Sequence, residues 1–233
     1  MAMSDGTARR HTMRVGLRDR LLGPRVPAPE ALAHRRRYAR PVWCFTGAAF
    51  LLVVSIFLPY WRMDLHAPQY PQGLHVRAYV NRMVGDLHEL EGLNRYVGLP
   101  SLTAAASFER SVSVAAALVL AGLLLAGLLI HSRWVVVLAL PALLFPFGFL
   151  ADLQYWLWKY GHGLDPKAPL SHAVGSFTQP MIGVAKVAQF HTLALPDVGL
   201  LLALGASGLT ALGLWYHRRA FKPLYDAMVA QGG

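Results

Sequence analysis

The sequence predicts an all-α integral membrane protein: four transmembrane helices joined by two ordered outer loops, the first with room for a short strand or helix. Three observations predict it. Four long apolar stretches run through the chain. Hydrophobic residues make up 55% of it and charged residues only 15%, too apolar for an ordinary soluble domain of 233 residues. Trp43, Trp61, Trp134, Trp158 and Trp215 stand at stretch ends, where amphipathic rings favour the membrane interface.

The elements follow in order. Residues 1–42 form a basic arm, with a short amphipathic stretch from Thr12 to Leu22, breaks at Pro24, Pro27 and Pro29, and a helix over Glu30–Ala39. The arm is long and basic, and a full-length span follows it, so it does not read as a cleaved secretory signal. A membrane domain over 43–217 contains spans at about 43–61, 113–130, 134–158 and 198–216, each long enough to cross roughly 30 Å of hydrocarbon as a helix. Only His131, Ser132 and Arg133 separate the second and third spans, which makes them a tight hairpin. Pro141 and Pro146 should kink the third and free local carbonyls. Gly122, Gly127, Gly205, Gly208 and Gly213 read as close-packing faces. Residues 218–233 are a tail.

Basic residues set the expected orientation. With both termini on one side, that side holds 14 of the 22 Lys and Arg, while the outer loops 62–112 and 159–197, together with Asp152 near the outer end of the third span, hold 8 of the 12 acids. The expectation is a bacterial cytoplasmic membrane with both termini cytoplasmic. The basic arm then meets anionic lipid, and nucleic acid is not expected, since no recognition fold accompanies the charge. The single Cys44 excludes an intrachain disulfide and a CxxC pair, and reads as a small buried hydrophobe.

The outer loops hold six of the ten histidines. In the first, Pro68, Pro71 and Gly73 rule out a helix over 63–74. Leu74, Val76, Ala78 and Val80 alternate with His75, Arg77, Tyr79 and Asn81 as a half-buried strand. Gly85 turns the chain, and Leu87 and Leu90 have helical spacing. The second loop is punctuated by Gly and Pro too densely for a long helix.

Within these loops, Ala67-Pro-Gln-Tyr-Pro-Gln-Gly-Leu74 followed by Gly92-Leu-Asn-Arg-Tyr-Val-Gly98 resembles a family of bacterial multi-pass membrane proteins. So does Asp152-Leu-Gln-Tyr-Trp-Leu-Trp-Lys-Tyr-Gly-His-Gly-Leu-Asp-Pro-Lys-Ala-Pro169, with Phe177-Thr-Gln-Pro180 and Val187-Ala-Gln-Phe190 after it. The resemblance covers roughly 43–215. It implies a setting beside nitrous-oxide reductase and other copper or respiratory enzymes. Arg95 stands where a histidine is usual and Leu99 where a methionine is usual, so neither position can ligate a metal here.

The expected function is a non-catalytic accessory or assembly factor for an extracytoplasmic copper or respiratory enzyme, its cap holding a protein partner or copper. Thioether and imidazole suit copper, and the candidates are Met63, His66, His75 and His88 with His162, His172, Met181 and His191. The alternative for these histidines is a structural or solvated role. His162, flanked by Gly161 and Gly163 with Asp165 following, is either a site residue oriented by a carboxylate or a helix cap bonding the last carbonyls. Asp152, inside the third span, is either an ion pair with Arg62, Arg110 or His162, or a proton or ligand site. Two other classes stay open: a quinol-binding, small-molecule-binding or electron-transfer subunit using Asp152 and His162, and a purely structural subunit. The spans carry too few polar residues for a transport path. No phosphate loop, GxSxG, HExxH or CxxCH occurs, so an enzyme is not expected.

Overall fold

The computed structural model describes residues 22–23, 28–169, 171, 175–187 and 190–232. His172 and nearly all of the amphipathic stretch expected over Thr12–Leu22 lie outside them. Helix α1 (Ala28–Ala33) leads into α2 (Arg35–Ser55), so the helix expected over Glu30–Ala39 is a short turn of helix joined to the first span. The remaining long helices are α4 (Ser107–Gly127), α5 (Val135–His162) and α6 (Val198–Gly232). All four are long and apolar enough to cross a membrane, and the chain is a multi-pass membrane protein. The fourth span runs on as helix through the segment expected as a tail.

The all-α expectation is wrong. The two loops fold together into a five-stranded antiparallel sheet in the order β3-β2-β1-β5-β4. Its strands are β1 (Trp61–Ala67), β2 (Tyr70–Ala78), β3 (Met83–Gly85), β4 (Gly183–Val187) and β5 (Phe190–Pro196). Helix α3 (Leu87–Val97) follows β3, where the leucine spacing predicts it. Trp61 is no span end. Helix α2 stops at Ser55, Pro59 follows, and Trp61 opens the central strand with its side chain buried. The segment over 63–74 read as turns is a β-hairpin whose turn is confined to 68 and 69. Central strand β1 takes one partner from each loop: Met63 faces Val76 on β2 and Ala194 on β5.

Alternation gives the sheet two faces. Trp61, Met63, Leu65, Leu74, Val76, Ala78, Thr192 and Ala194 turn inward; Arg62, Asp64, His66, His75, Arg77, Lys186 and His191 turn outward. The inward face packs on α3 through Leu90 and on the sheet-side end of α5 through Leu153 and Leu157. The sheet therefore caps one end of the helical bundle. The described ends of the chain lie at the other end, where Arg37 Nη2 donates to the Arg219 carbonyl at 2.7 Å.

The bundle core joins Phe45, Ala48, Ala49 and Leu52 of α2 to Leu124, Ala139 and Ala206 of the other spans. Gly213 lies against Cys44 and Phe45, and Gly205 against Leu51, as close-packing glycines should. Gly122 and Gly208 face open space instead. Cys44 is buried and free. Pro146 cannot donate to the Ala142 carbonyl, and the Ser207 hydroxyl of α6 reaches that region, 3.5 Å from Ala142 O and 2.9 Å from Leu143 O. Where the second span ends, His217 Nε2 donates to the Ile130 carbonyl at 2.8 Å.

Candidate functional site: an apolar chamber under the sheet

Met63 and His66 cannot share an ion. Three residues apart on one strand, they point to opposite faces, and Met63 is packed inward among Leu74, Val76 and Leu90. On the outward face His66 sits directly opposite His191, both exposed. His75 Nδ1 is instead bonded to Asp64 Oδ1 at 2.8 Å. That bond, with the negative charges of Asp64 and Asp86, raises His75 above its ordinary value against a small desolvation penalty. His88 lies exposed on α3. Met181 receives Trp61 Nε1–H on its carbonyl at 2.7 Å. Among the described residues, no three His, Cys, Asp or Glu side chains gather to hold a metal ion.

His162 takes the capping geometry. It is the last residue of α5, its Nδ1 bonds the Trp158 carbonyl at 2.9 Å, and its ring stacks on Trp158 with centroids 4.9 Å apart. Asp165 is engaged elsewhere, accepting from Lys167 N at 2.9 Å and donating its own N–H to Gly98 O at 2.7 Å. Asp152 finds no cation: among the described residues the one ion pair is His75–Asp64. Its charged neighbours are Glu109 and Arg110, which line the same groove.

What the fold does assemble is a cavity of about 140 Å³ between the inward sheet face, α3 and the end of α5. Its walls include Met63, Val76, Leu90, Leu93, Leu157 and Phe177, and no charged side chain contributes. Four of the polar side chains that line it bond one another in two pairs. Asn94 Nδ2 donates to the Tyr160 hydroxyl, tying α3 to α5. Gln179 Nε2 donates to Thr192 Oγ1 at 2.7 Å and is buried. A cavity of roughly 150 Å³ with such a lining stays dry and accepts a benzene-sized apolar group.

The sequence pattern does not single out Asn94, Tyr160, Gln179 or Trp156 as site residues, since none has a spacing that announces chemistry. Yet four of the five segments quoted above for the resemblance supply wall residues: Asn94, Trp156, Tyr160, Phe177, Gln179 and Phe190. Two of those segments also touch directly. Gly98 ends α3 with φ 85°, and a side chain there would meet Asp165 O at 2.9 Å.

The fold and chamber define a class: a four-span membrane protein with a sheet cap that encloses an apolar cavity at one end of its bundle. No family model, curated protein or solved structure matches the chain.

Proposed function

We propose that the chain is a non-catalytic binding component of a membrane, holding an apolar membrane-borne molecule in the chamber under its sheet. One observation carries the reading: the chamber is walled by hydrocarbon and aromatic rings, no charged side chain lines it, and four of its polar side chains are paired with each other. Such a lining rewards removal of apolar surface from water and offers no free group for chemistry. The basic collar at the opposite end, including Arg37, Arg40, Arg133, Arg218 and Arg219, supports a cytoplasmic position for that end. The chamber then faces outside in a bacterial cytoplasmic membrane.

The test uses 1-bromodecane, whose bromine quenches tryptophan on contact. The detergent-solubilised protein should be quenched at Trp61 and Trp156, and Leu93→Trp, which fills the chamber, should abolish protection of the site from dilution by detergent while the fold still melts cooperatively. Equal, non-saturating quenching of both proteins would sink the reading.

A second reading rests on the outward sheet face, where His66 and His191 oppose each other beside Lys186. Two imidazoles so placed suit copper(I), and the cationic face suits an acidic partner, as an accessory factor for a copper or respiratory enzyme requires. Purified protein carrying one copper that is lost in both His66→Ala and His191→Ala favours this reading; copper retained in both removes it.

A further inference from the structure

Between α4 and α5 runs a groove of about 520 Å³, open on one side. On α5 it extends from Pro141 to Asp152, eleven residues, which at 1.5 Å per residue is about 16 Å. That is the depth of one leaflet of a hydrocarbon core roughly 30 Å thick. The walls are apolar through Ala116 and Phe145, and a side chain added at Gly148 would meet nothing within 4 Å. Val112 and Leu144 line the groove with exposed side chains, as on a surface that meets lipid tails. A slot one leaflet deep between two spans suits an acyl chain.

The charged groups of the groove gather at its cap end. Glu109 and Arg110 stand in the first turn of α4, and Asp152 lies on α5 within range of the Glu109 charge. Asp152 is also the partner of the Trp156 indole N–H one turn further along α5, which leaves the carboxyl group capacity for further donors. These charges do not neutralise one another: among the described residues the one ion pair is His75–Asp64. Arg110 donates to the Thr103 and Ala106 carbonyls, which uses two of its five N–H groups and none of its charge. Ionisable groups at the edge of the hydrocarbon cost free energy unless something complements them.

We propose that this groove binds one phospholipid with an ethanolamine head, its acyl chain in the slot, its ammonium between Glu109 and Asp152, and its phosphate on the remaining N–H groups of Arg110. The site is separate from the chamber and does not rest on the function assigned to it. Charge complementarity selects the occupant. A phosphatidylglycerol satisfies Arg110, but it brings no cation to the two carboxyl groups and meets like charge there. A choline head brings the cation without an N–H to donate. An ethanolamine ammonium supplies the cation and three donors, and hydrogen bonds between charged partners are the strong ones.

The test is native mass spectrometry of the full chain, stripped of lipid in neutral detergent. It is titrated with phosphatidylethanolamine, phosphatidylcholine and phosphatidylglycerol carrying identical palmitoyl-oleoyl tails. Wild type should retain one phosphatidylethanolamine saturably, about tenfold more tightly than either competitor, the worth of one charge-assisted hydrogen bond. Glu109→Gln and Asp152→Asn should each cancel most of that preference and leave phosphatidylglycerol bound as well as before or better. Asp152→Asn keeps an acceptor for the Trp156 indole, so the α5 contact survives. Gly148→Leu, which fills the slot and leaves the charged end in place, should weaken all three lipids while the protein still melts cooperatively. If that variant does not fold, the two carboxamide variants decide. Equal retention of the three lipids by wild type, a preference that survives both carboxamide substitutions, or uptake of many lipids with no saturable first one overturns the proposal. So does lipid binding that a folded Gly148→Leu protein leaves unchanged.

Discussion

Replacing Gly161 by alanine is the most direct probe of how the cap is seated on the bundle. In an unencumbered helix the change should stabilise by about 1 kcal/mol, since glycine is the poorer helix former. Gly161 is not unencumbered. A Cβ built there falls 2.0 Å from the Phe177 carbonyl oxygen, about 1 Å nearer than such atoms come. The neighbour is backbone, held in place because Phe177 N donates to Gly161 O at 3.1 Å. Relief requires the two segments to part, which forfeits that bond, roughly 1 kcal/mol, and adds an overpacking cost of about 1–3 kcal/mol. The net expectation is a loss of about 1–3 kcal/mol. At 2–4 °C per kcal/mol for a chain of this size, the melting midpoint should fall by roughly 2–12 °C. Circular dichroism melting in one detergent measures it, with Gly92→Ala as internal reference. Gly92 lies on α3 with nothing within 4 Å of its Cβ position, and its substitution should raise the midpoint. Phe177 and Gln179 also wall the chamber, so Gly161→Ala should weaken bromodecane quenching. A Gly161→Ala protein as stable as wild type would refute the argument that α5 and the segment at 177 meet backbone to backbone.

Other expectations follow from the same contacts. Tyr60 is fully buried, its hydroxyl 2.7 Å from Ser55 Oγ, and burial pushes its pKa up to about 12 despite that bond. Tyr60→Phe should cost about 1 kcal/mol, and in absorbance titration of the wild type Tyr60 should resist ionisation until the protein unfolds, a contribution that Tyr60→Phe removes. His75, raised by Asp64, is stabilised in its charged form; the benefit is complete below the ordinary histidine value near 6.5 and is lost as pH rises through the raised value. NMR titration of Asp64→Asn should find His75 returned toward that ordinary value, with no measurable change in melting because the pair is exposed. His131, between the second and third spans, is lowered by burial; its folded form resists protonation, so stability should decline as pH falls through 6.5, and His131→Gln should flatten that decline. Asn94→Leu removes the donor to Tyr160, leaves a buried hydroxyl unpaired and should destabilise by about 1–3 kcal/mol in chemical denaturation.

Some of this structure is legible residue by residue. The apolar lengths of the four spans demand helices because lipid offers the backbone no partners. The alternation through Leu74, Val76 and Ala78 marks β2, and the spacing of Leu87 and Leu90 marks α3. The glycines around His162 mark a helix end, and His162 caps it. All of these are local: the period of a helix, or of a strand with one wet face, is written within a dozen residues.

The sheet is not local, and there the reading from sequence fails. Strand β5 carries Leu193 and Leu195 outward and Thr192 inward, so its polarity does not alternate with its pleat. In β1 the buried Trp61 resembles an interface anchor, because a tryptophan that closes a span and one that opens a strand have the same composition around them. Helices hydrogen-bond within themselves, so the sequence alone determines the four spans. A strand is completed by its partner, and β1 finds β5 about 130 residues away, so only the tertiary structure decides which residues face the chamber and which face water. Pairing Met63 with Ala194 turns His66 outward to His191, separates the candidate metal ligands onto two faces and leaves an apolar space beneath the cap.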